Sequence, residues 1–345
     1  MSDRAATVRE KFPRFRILVI GRANAGKTTL LQRVCKTTES PIVRDRNGKK
    51  VTMDSLFHKW YIRGEHDIEH EISFESNDRF VFHDSRGFEA GGEEELKKVQ
   101  SFIEECAKEQ KLTRRLHAIW FKYCIPMNEH SRPITVAEET FFSKCGTGKV
   151  PVIAIFTKFD ALHAIAFGKL REQGKGIREA AAMAPKVAEQ IFQDNNYYGM
   201  LQEKEFPPKN CVCIGGMEKE EADCTALICC TAEALDDEVL ETLLVSAQQV
   251  NLQICVQYAV SRTLVKLVEK EDKHHEVHGN AGWELQSKLA VWFPHIWVSM
   301  TVIQWMSHCI GFKYIGCCKL LCLWCWCPWI HAHSHSIPGV LIGWL

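Results

Sequence analysis

The residues with the clearest chemical potential lie in a glycine-rich stretch, "GRANAGKTT", at positions 21 to 29. The stretch fits the spacing GxxxxGK[ST], in which glycines let the backbone curl around an anion. Its N–H groups and the following helix N-terminus would donate to phosphate oxygens, Lys27 would reach the terminal phosphates, and the Thr28 hydroxyl would ligate Mg²⁺. We therefore predict a phosphate cradle, and its candidate nucleotide-binding residues are Gly21, Asn24, Ala25, Gly26, Lys27, Thr28 and Thr29.

A second motif, "DSRG", follows the apolar run "RFVFH" and has the spacing DxxG, with Asp84 and Gly87 at its ends. A carboxylate at a strand tip can hold Mg²⁺, and the N–H of a flexible glycine can bond the γ-phosphate and sense its loss. Alone the motif is weak, because a strand that ends in aspartate before a glycine turn is ordinary. Its position after the cradle makes Asp84 the second predicted metal ligand.

A third motif, "TKFD", ends the apolar run "VIAIF" and fits the pattern [NT]KxD with Thr157, Lys158 and Asp160. The carboxylate of Asp160 can accept hydrogen bonds from the ring N–H and the exocyclic amine of guanine, whereas adenine presents the wrong edge to it. Lys158 can lay its aliphatic stem along the base. The motif therefore favours GTP and GDP over ATP, and an ATPase requires that "TKFD" be a coincidence.

With these three motifs in this order, residues 14 to 260 resemble the G domains of the P-loop class, in particular the Era-like, ribosome-binding-GTPase-like family. The stretches "FHDSRGFEAGG" and "LHAIWFKYCIPM" also look like G-domain proteins of mushroom-forming fungi. The resemblance implies a short fifth motif that touches the base. We expect it at Thr231 and Ala232, after a strand in "ALICC"; the alternative is that Thr231 only caps a helix.

The chain departs from the family pattern where hydrolysis is concerned. Phe88 follows the DxxG glycine, where many GTPases have a glutamine that orients the attacking water, so we expect slow hydrolysis. No threonine occurs in "RGEHDIEH", where the first switch should supply one. His66 in that stretch is a candidate catalytic residue that would orient water or contact phosphate; otherwise it is a surface residue at a strand start.

The elements that must position these motifs alternate along the chain, which predicts an α/β P-loop NTPase fold with a mostly parallel sheet and helices on both faces. Strands are predicted near residues 15–20, 66–76, 79–84, 116–123, 150–158 and 226–230. Helices are predicted near residues 27–36, 93–110, 135–144, 176–193 and 236–260.

Composition changes along the chain, which predicts a G domain over residues 14–265, a charged linker over 266–288 and an apolar tail over 289–345. The tail is rich in tryptophan and cysteine, and Lys313 and Lys319 are its only formally charged side chains. Three alternatives stay open for it: membrane contact, packing against the G domain, or a disordered end. A zinc site is disfavoured because the cysteine and histidine spacing is irregular.

Lysine and arginine total 43, as do aspartate and glutamate, so no global field attracts nucleic acid. The charged N-terminus lacks the apolar core of a secretory signal, so we expect a cytoplasmic protein, with membrane association as the alternative. In that reducing compartment we expect the 16 cysteines to be mostly free thiols. We thus predict a Mg²⁺-dependent, slow GTPase that acts as a switch toward a protein effector or a homodimer. The alternative is a GTP-bound scaffold or membrane-associated structural protein with negligible turnover.

Overall fold

The computed structural model describes residues 14–21, 26–51, 67–85, 93–125, 134–219, 222–248 and 251–259. The chain divides into two compact units, residues 1–256 and 257–345. The predicted linker and tail, residues 266–345, lie outside the described residues. Within the described ranges, no helix is long and apolar enough to cross a membrane.

The central strands of the sheet carry apolar runs that are buried on both faces, and the edge strands are partly buried. In the described residues the strands are β1 (Phe15–Gly21), β2 (Ile42–Arg44), β3 (Glu71–Phe74), β4 (Asn77–Asp84), β5 (Ala118–Cys124), β6 (Val152–Thr157) and β7 (Asn210–Ile214). Their order is β2-β3-β4-β1-β5-β6-β7. Strands β4, β1, β5, β6 and β7 run parallel, and β2 and β3 form an antiparallel edge. The predicted mostly parallel α/β sheet is therefore confirmed.

Helices connect the strands and cover both faces of this sheet. In the described residues they are α1 (Lys27–Val34), α2 (Glu93–Lys108), α3 (Val136–Lys144), α4 (Asp160–Glu172), α5 (Ile177–Asp194), α6 (Tyr197–Gln202), α7 (Thr225–Ala234), α8 (Glu238–Ser246) and α9 (Leu252–Ala259). On one face, Phe121 of β5 packs in a core with residues of α2 to α5. On the other face, the neighbouring Trp120 donates its indole N–H to Thr231 of α7 at 3.0 Å.

Two predicted elements differ from the observed ones. The strand predicted at residues 226–230 is wrong, because these residues lie in helix α7. Their buried positions, such as Leu227 with Thr231 and Ile228 with Ala232, recur at the spacing of four that places side chains on one helical face. The helix predicted over 236–260 is two helices, α8 and α9. Strand β7, which sequence patterns missed, occupies the sheet edge instead.

A buried polar cluster ties β1 to its neighbours. The guanidinium of Arg16 donates to the Thr113 carbonyl at 2.7 Å, to Nε2 of His83 at 3.0 Å, and to the Glu71 carboxylate. Because arginine can only donate, Nε2 of His83 must accept, and its Nδ1–H donates to the Ile68 carbonyl at 2.9 Å. Burial alone would raise the pKa of Glu71, but the hydrogen bond and charge of Arg16 lower it.

His117 completes this cluster from the start of β5. Its Nδ1 accepts the backbone N–H of Arg16 at 3.0 Å, and its Nε2–H donates to the Leu112 carbonyl at 2.9 Å. Burial lowers the pKa of His117 to about 4, so the ring is neutral at pH 7. We call Arg16, Glu71, His83 and His117 the Arg16 network.

Candidate nucleotide-binding site

The glycine-rich stretch lies between β1 and α1, as the sequence predicts. Gly21 is the last residue of β1 and faces Lys122 of β5, where an added Cβ would lie 3.0 Å from the Lys122 Cβ and carbonyl oxygen. Gly26 precedes α1 with φ 70°, in the left-handed region that favours glycine. Both glycines are therefore required by the backbone path. Asn24 and Ala25 lie outside the described residues.

The side chain of Lys27 connects the first and second motifs. Its ammonium donates to the Ser85 carbonyl at 2.7 Å and to the Gly21 carbonyl at 3.1 Å. The same nitrogen lies 3.1 Å from the carboxylate of Asp84, and both side chains are more than nine-tenths buried. The two motifs, which are far apart in the chain, thus meet at the carboxyl ends of β1 and β4, where open α/β sheets bind ligands.

The donor chemistry at this edge fits a magnesium ion. Thr28 lies exposed in the first turn of α1, and Asp84 ends β4. A hydroxyl and a carboxylate oxygen are hard donors of the kind that Mg²⁺ takes alongside water and phosphate oxygens. In the part of the chain that the structure describes, no group of three or more His, Cys, Asp or Glu side chains could hold a metal ion by itself. Thr28 and Asp84 would supply two ligands to Mg²⁺, and phosphate oxygens and water would supply the others.

The third motif forms the turn from β6 into α4. Thr157 is buried and donates its hydroxyl to the Tyr123 carbonyl at 2.8 Å, which joins the ends of β6 and β5. Lys158 has φ 59°, an uncommon conformation for a residue with a side chain. Asp160 then starts α4 with an exposed carboxylate. The turn therefore presents Lys158 and Asp160 at the same sheet edge as the phosphate loop.

A pair of glycines that sequence patterns missed completes this end of the site. Gly215 and Gly216 directly follow β7, and the Gly216 N–H donates to the Asp160 carboxylate at 2.9 Å. An added Cβ on Gly215 would lie 2.9 Å from Asp160 Oδ1 and from its backbone nitrogen. Arg33 of α1 also donates to the Met217 carbonyl at 3.2 Å, so the loop joins both halves of the site. The sequence signal for this loop is the "GG" that follows "NCVCI". The run "NCVCI" is difficult to recognise as a strand because cysteines occupy its alternate positions.

The comparison with known families agrees with this geometry. Residues 16–158 match the family described as 50S ribosome-binding GTPase. The fold is that of a P-loop GTPase. The matched segment runs from β1 through the phosphate loop and the DxxG motif to the second residue of "TKFD". The match covers less than half of the chain.

Two solved structures resemble parts of this chain. One is the septin GTPase domain from Chlamydomonas reinhardtii, with 22% identity over 51% of this chain and 59% of that one, and a TM-score of 0.25. The other is from an oligomerised bacterial dynamin pair that senses and tethers membranes, with 9% identity over 77% of this chain and 41% of that one, and a TM-score of 0.33. This chain thus spans less than two thirds of either structure. No curated protein matches it.

Lys122, which sequence patterns also missed, is a buried lysine beside the glycine-rich loop at Gly26. It is 3% exposed, and an ideal Cβ on Gly26 would lie 3.4 Å from its ammonium. The pKa of Lys122 is lowered to about 8: burial and the charges of Lys27 and Lys158 lower it, and the charges of Cys124 and Asp84 raise it. In the sequence it appears only as a lone charge inside the run "AIWFKYC".

The assignment of the fifth motif to Thr231 and Ala232 is corrected by the structure. Both residues are buried in α7, at 0% and 2% exposed. The Thr231 hydroxyl accepts from Trp120 and donates to the Leu227 carbonyl at 2.7 Å. These hydrogen bonds hold α7 against the sheet. The loop that lies beside Asp160 is instead the one at Gly215.

The remaining predicted residues cannot be located at the site. His66, the catalytic candidate, and Gly87, the γ-phosphate sensor, lie outside the described residues, as does Phe88. Their roles stay predictions. Thr29 lies half-buried next to Thr28 in the first turn of α1.

Proposed function

We propose that this chain binds GTP and GDP with Mg²⁺ and hydrolyses GTP slowly, as a molecular switch. The observation that carries the proposal is the convergence of Lys27 and Asp84 at the strand ends, with Asp160 at the same edge. A binding site for a guanine nucleotide requires a cation for the phosphates, a carboxylate for the metal ion and a carboxylate for the base, and these three groups lie along one edge here. The likeness to Era-like and fungal G domains remains part of this proposal.

Each residue has a separate task in this proposal. Lys27 binds the terminal phosphates, and its present contacts with the Ser85 and Gly21 carbonyls are ones that phosphate oxygens would replace. Thr28 and Asp84 hold the Mg²⁺, which when bound neutralises charge on the phosphates. The carboxylate of Asp160 accepts two hydrogen bonds from guanine, and Gly87 reports the presence of the γ-phosphate.

Hydrolysis is slow in this proposal because Phe88 offers no hydrogen bond to the attacking water. His66, in the region expected to form the first switch, is the residue we propose to orient that water. The same observation favours a second candidate function, in which bound GTP stabilises a scaffold and turnover is negligible. Phosphate release separates the two functions.

The binding half of the proposal is tested with fluorescent GTP and ATP on the wild type and on Asp160→Asn. We expect GTP to bind at least 100-fold more tightly than ATP, because adenine leaves the hydrogen-bonding capacity of the Asp160 carboxylate unmatched. Asp160→Asn should lose GTP affinity and gain affinity for xanthine nucleotide, whose edge matches an amide. Asp194→Asn, an exposed aspartate at the end of α5, is the control. Equal affinity for GTP and ATP would contradict the base-reading role.

The hydrolytic half is tested by single-turnover phosphate release with and without Mg²⁺. Release that depends on Mg²⁺ and slows in His66→Ala supports the switch. Tight GTP binding with no release over hours would instead support the scaffold.

Partners and location are proposed on sequence grounds alone. We propose a cytoplasmic protein that acts on a protein effector or on a second copy of itself, with residues 289–345 as the membrane-contacting segment. Cell fractionation of the full chain beside a chain that ends at residue 265 tests this location. Equal distribution of the two chains would rule out a membrane role for the tail.

A further inference from the structure

Lys122 is unusual because its side chain is buried inside the sheet and not extended into water. The residue pairs with Gly21 across β1 and β5, and the missing Cβ of Gly21 leaves room for the lysine stem. The stem runs toward the loop, so that its ammonium lies where an ideal Cβ on Gly26 would be only 3.4 Å away. A lysine usually extends its ammonium to water. Here the ammonium ends beside the phosphate loop.

The charges around Lys122 favour an anion. Lys27 and Lys158 act on it as like charges, and Cys124 and Asp84 act on it as opposite charges. Lys27 and Lys122 are both buried, and buried like charges cost free energy because they repel strongly away from water. A core position with a purely structural role would be better filled by an apolar residue of similar volume. A nucleoside di- or triphosphate supplies the negative charge that this group of residues needs.

We propose that Lys122 is a second lysine of the phosphate site, which positions the loop at Gly26 and strengthens the binding of guanine nucleotides through their phosphates. This inference rests on the proposed function. It adds to that function a residue outside the three motifs, contributed by β5. Its action is on the phosphates and not on the base, so its effect should depend on how many phosphates the ligand carries.

The test compares the wild type with Lys122→Met, which keeps the length of the side chain and removes its charge. Displacement of fluorescent GDP gives the dissociation constants of GDP and guanosine, and thermal unfolding gives the stability of the nucleotide-free protein. We expect GDP affinity to fall by about 10-fold to 100-fold, the usual effect of losing a charged contact. Guanosine affinity should change by less than about 3-fold, and the unfolding midpoint should stay the same or rise.

Two further variants make the result decisive. Lys98→Met removes an exposed charge on α2 and should leave GDP affinity unchanged. Lys122→Gln replaces the methionine variant if that variant does not fold, and the same pattern is expected from it. Equal losses for GDP and guanosine, or an unchanged GDP affinity, would overturn the inference while the wild type still binds. A wild type that binds neither ligand would instead overturn the proposed function, and the inference with it.

Discussion

The Arg16 network and the nucleotide site both bury charge beside β1, but they compensate it differently. In the network, Arg16 donates to Glu71, to His83 and to a carbonyl, and the two histidines accept and donate in fixed directions. In the site, Lys27 pairs with Asp84, and the charges of Lys27 and Lys158 both act on the buried ammonium of Lys122. The first arrangement is balanced within the protein, whereas the second has excess positive charge.

This difference shows that buried charge alone does not identify a functional site. Salt-bridge and hydrogen-bond networks shift pKa values as strongly as active sites do. The charge at the strand ends is more informative, because two buried lysines side by side favour a negatively charged ligand. The comparison also predicts that variants in the network lower stability, while variants in the site lower affinity.

The largest expected effect is on the network, from Arg16→Met. Removing the buried arginine leaves the partly buried Glu71 without its closest cation and removes the bonds to His83 and to the Thr113 carbonyl, which should lower the free energy of unfolding by about 3 to 5 kcal/mol. Arg14→Met is the matched control: Arg14 also pairs with Glu71, at 3.1 Å, but its side chain is 38% exposed, so the loss should be below about 1 kcal/mol. Urea unfolding measures both variants.

A double variant sharpens this test. Arg16→Met with Glu71→Leu removes both charges and should be more stable than Arg16→Met alone, because the single variant keeps a partly buried carboxylate whose remaining cation is the more exposed Arg14. Similar small losses for Arg14→Met and Arg16→Met would contradict the distinction between the network and an ordinary surface ion pair.

The next effect is a pH dependence from His117. Its pKa is about 4 in the folded protein and near 6.5 when unfolded, so both states are neutral above pH 6.5. Between pH 6.5 and 4 the unfolded state binds more protons, and stability should fall as the pH falls, by roughly 3 kcal/mol in total. His117→Gln should flatten this part of the stability curve. An unchanged slope from pH 7 to 4 in that variant would exclude His117 as its source.

The smallest expected effect is in the site, from Gly215→Ala. The new methyl group would lie 2.9 Å from the backbone nitrogen and carboxylate of Asp160, so the loop or the start of α4 must shift. We expect GDP affinity to fall by about 10-fold, or about 1.4 kcal/mol, with stability nearly unchanged. Gly176→Ala, at a position where an added Cβ meets nothing within 4 Å, is the control for the substitution itself. Equal affinities in the two variants would exclude the glycine pair from the base end.

The motif-bearing elements could be predicted because each has a local cause. Runs such as "ILVI" in β1 and "VIAIF" in β6 are apolar throughout, as is typical of strands in a covered parallel sheet. The prediction failed at "ALICC", because a short apolar run fits a buried strand and a buried helix equally well. The same error displaced the fifth motif to Thr231, since its position depended on which run was the last strand.

The sequence by itself determined the phosphate loop, the DxxG aspartate and the guanine-type "TKFD" turn, together with the α/β class. Each of these depends on residue types at fixed short spacings. Such spacings can be interpreted from the local backbone conformation alone. Only the tertiary structure decided that Gly215 and Gly216 adjoin Asp160, and that Lys122 ends beside Gly26. Both contacts form between neighbouring strands that are distant in sequence, so the sheet order and register create them, and no local pattern records them.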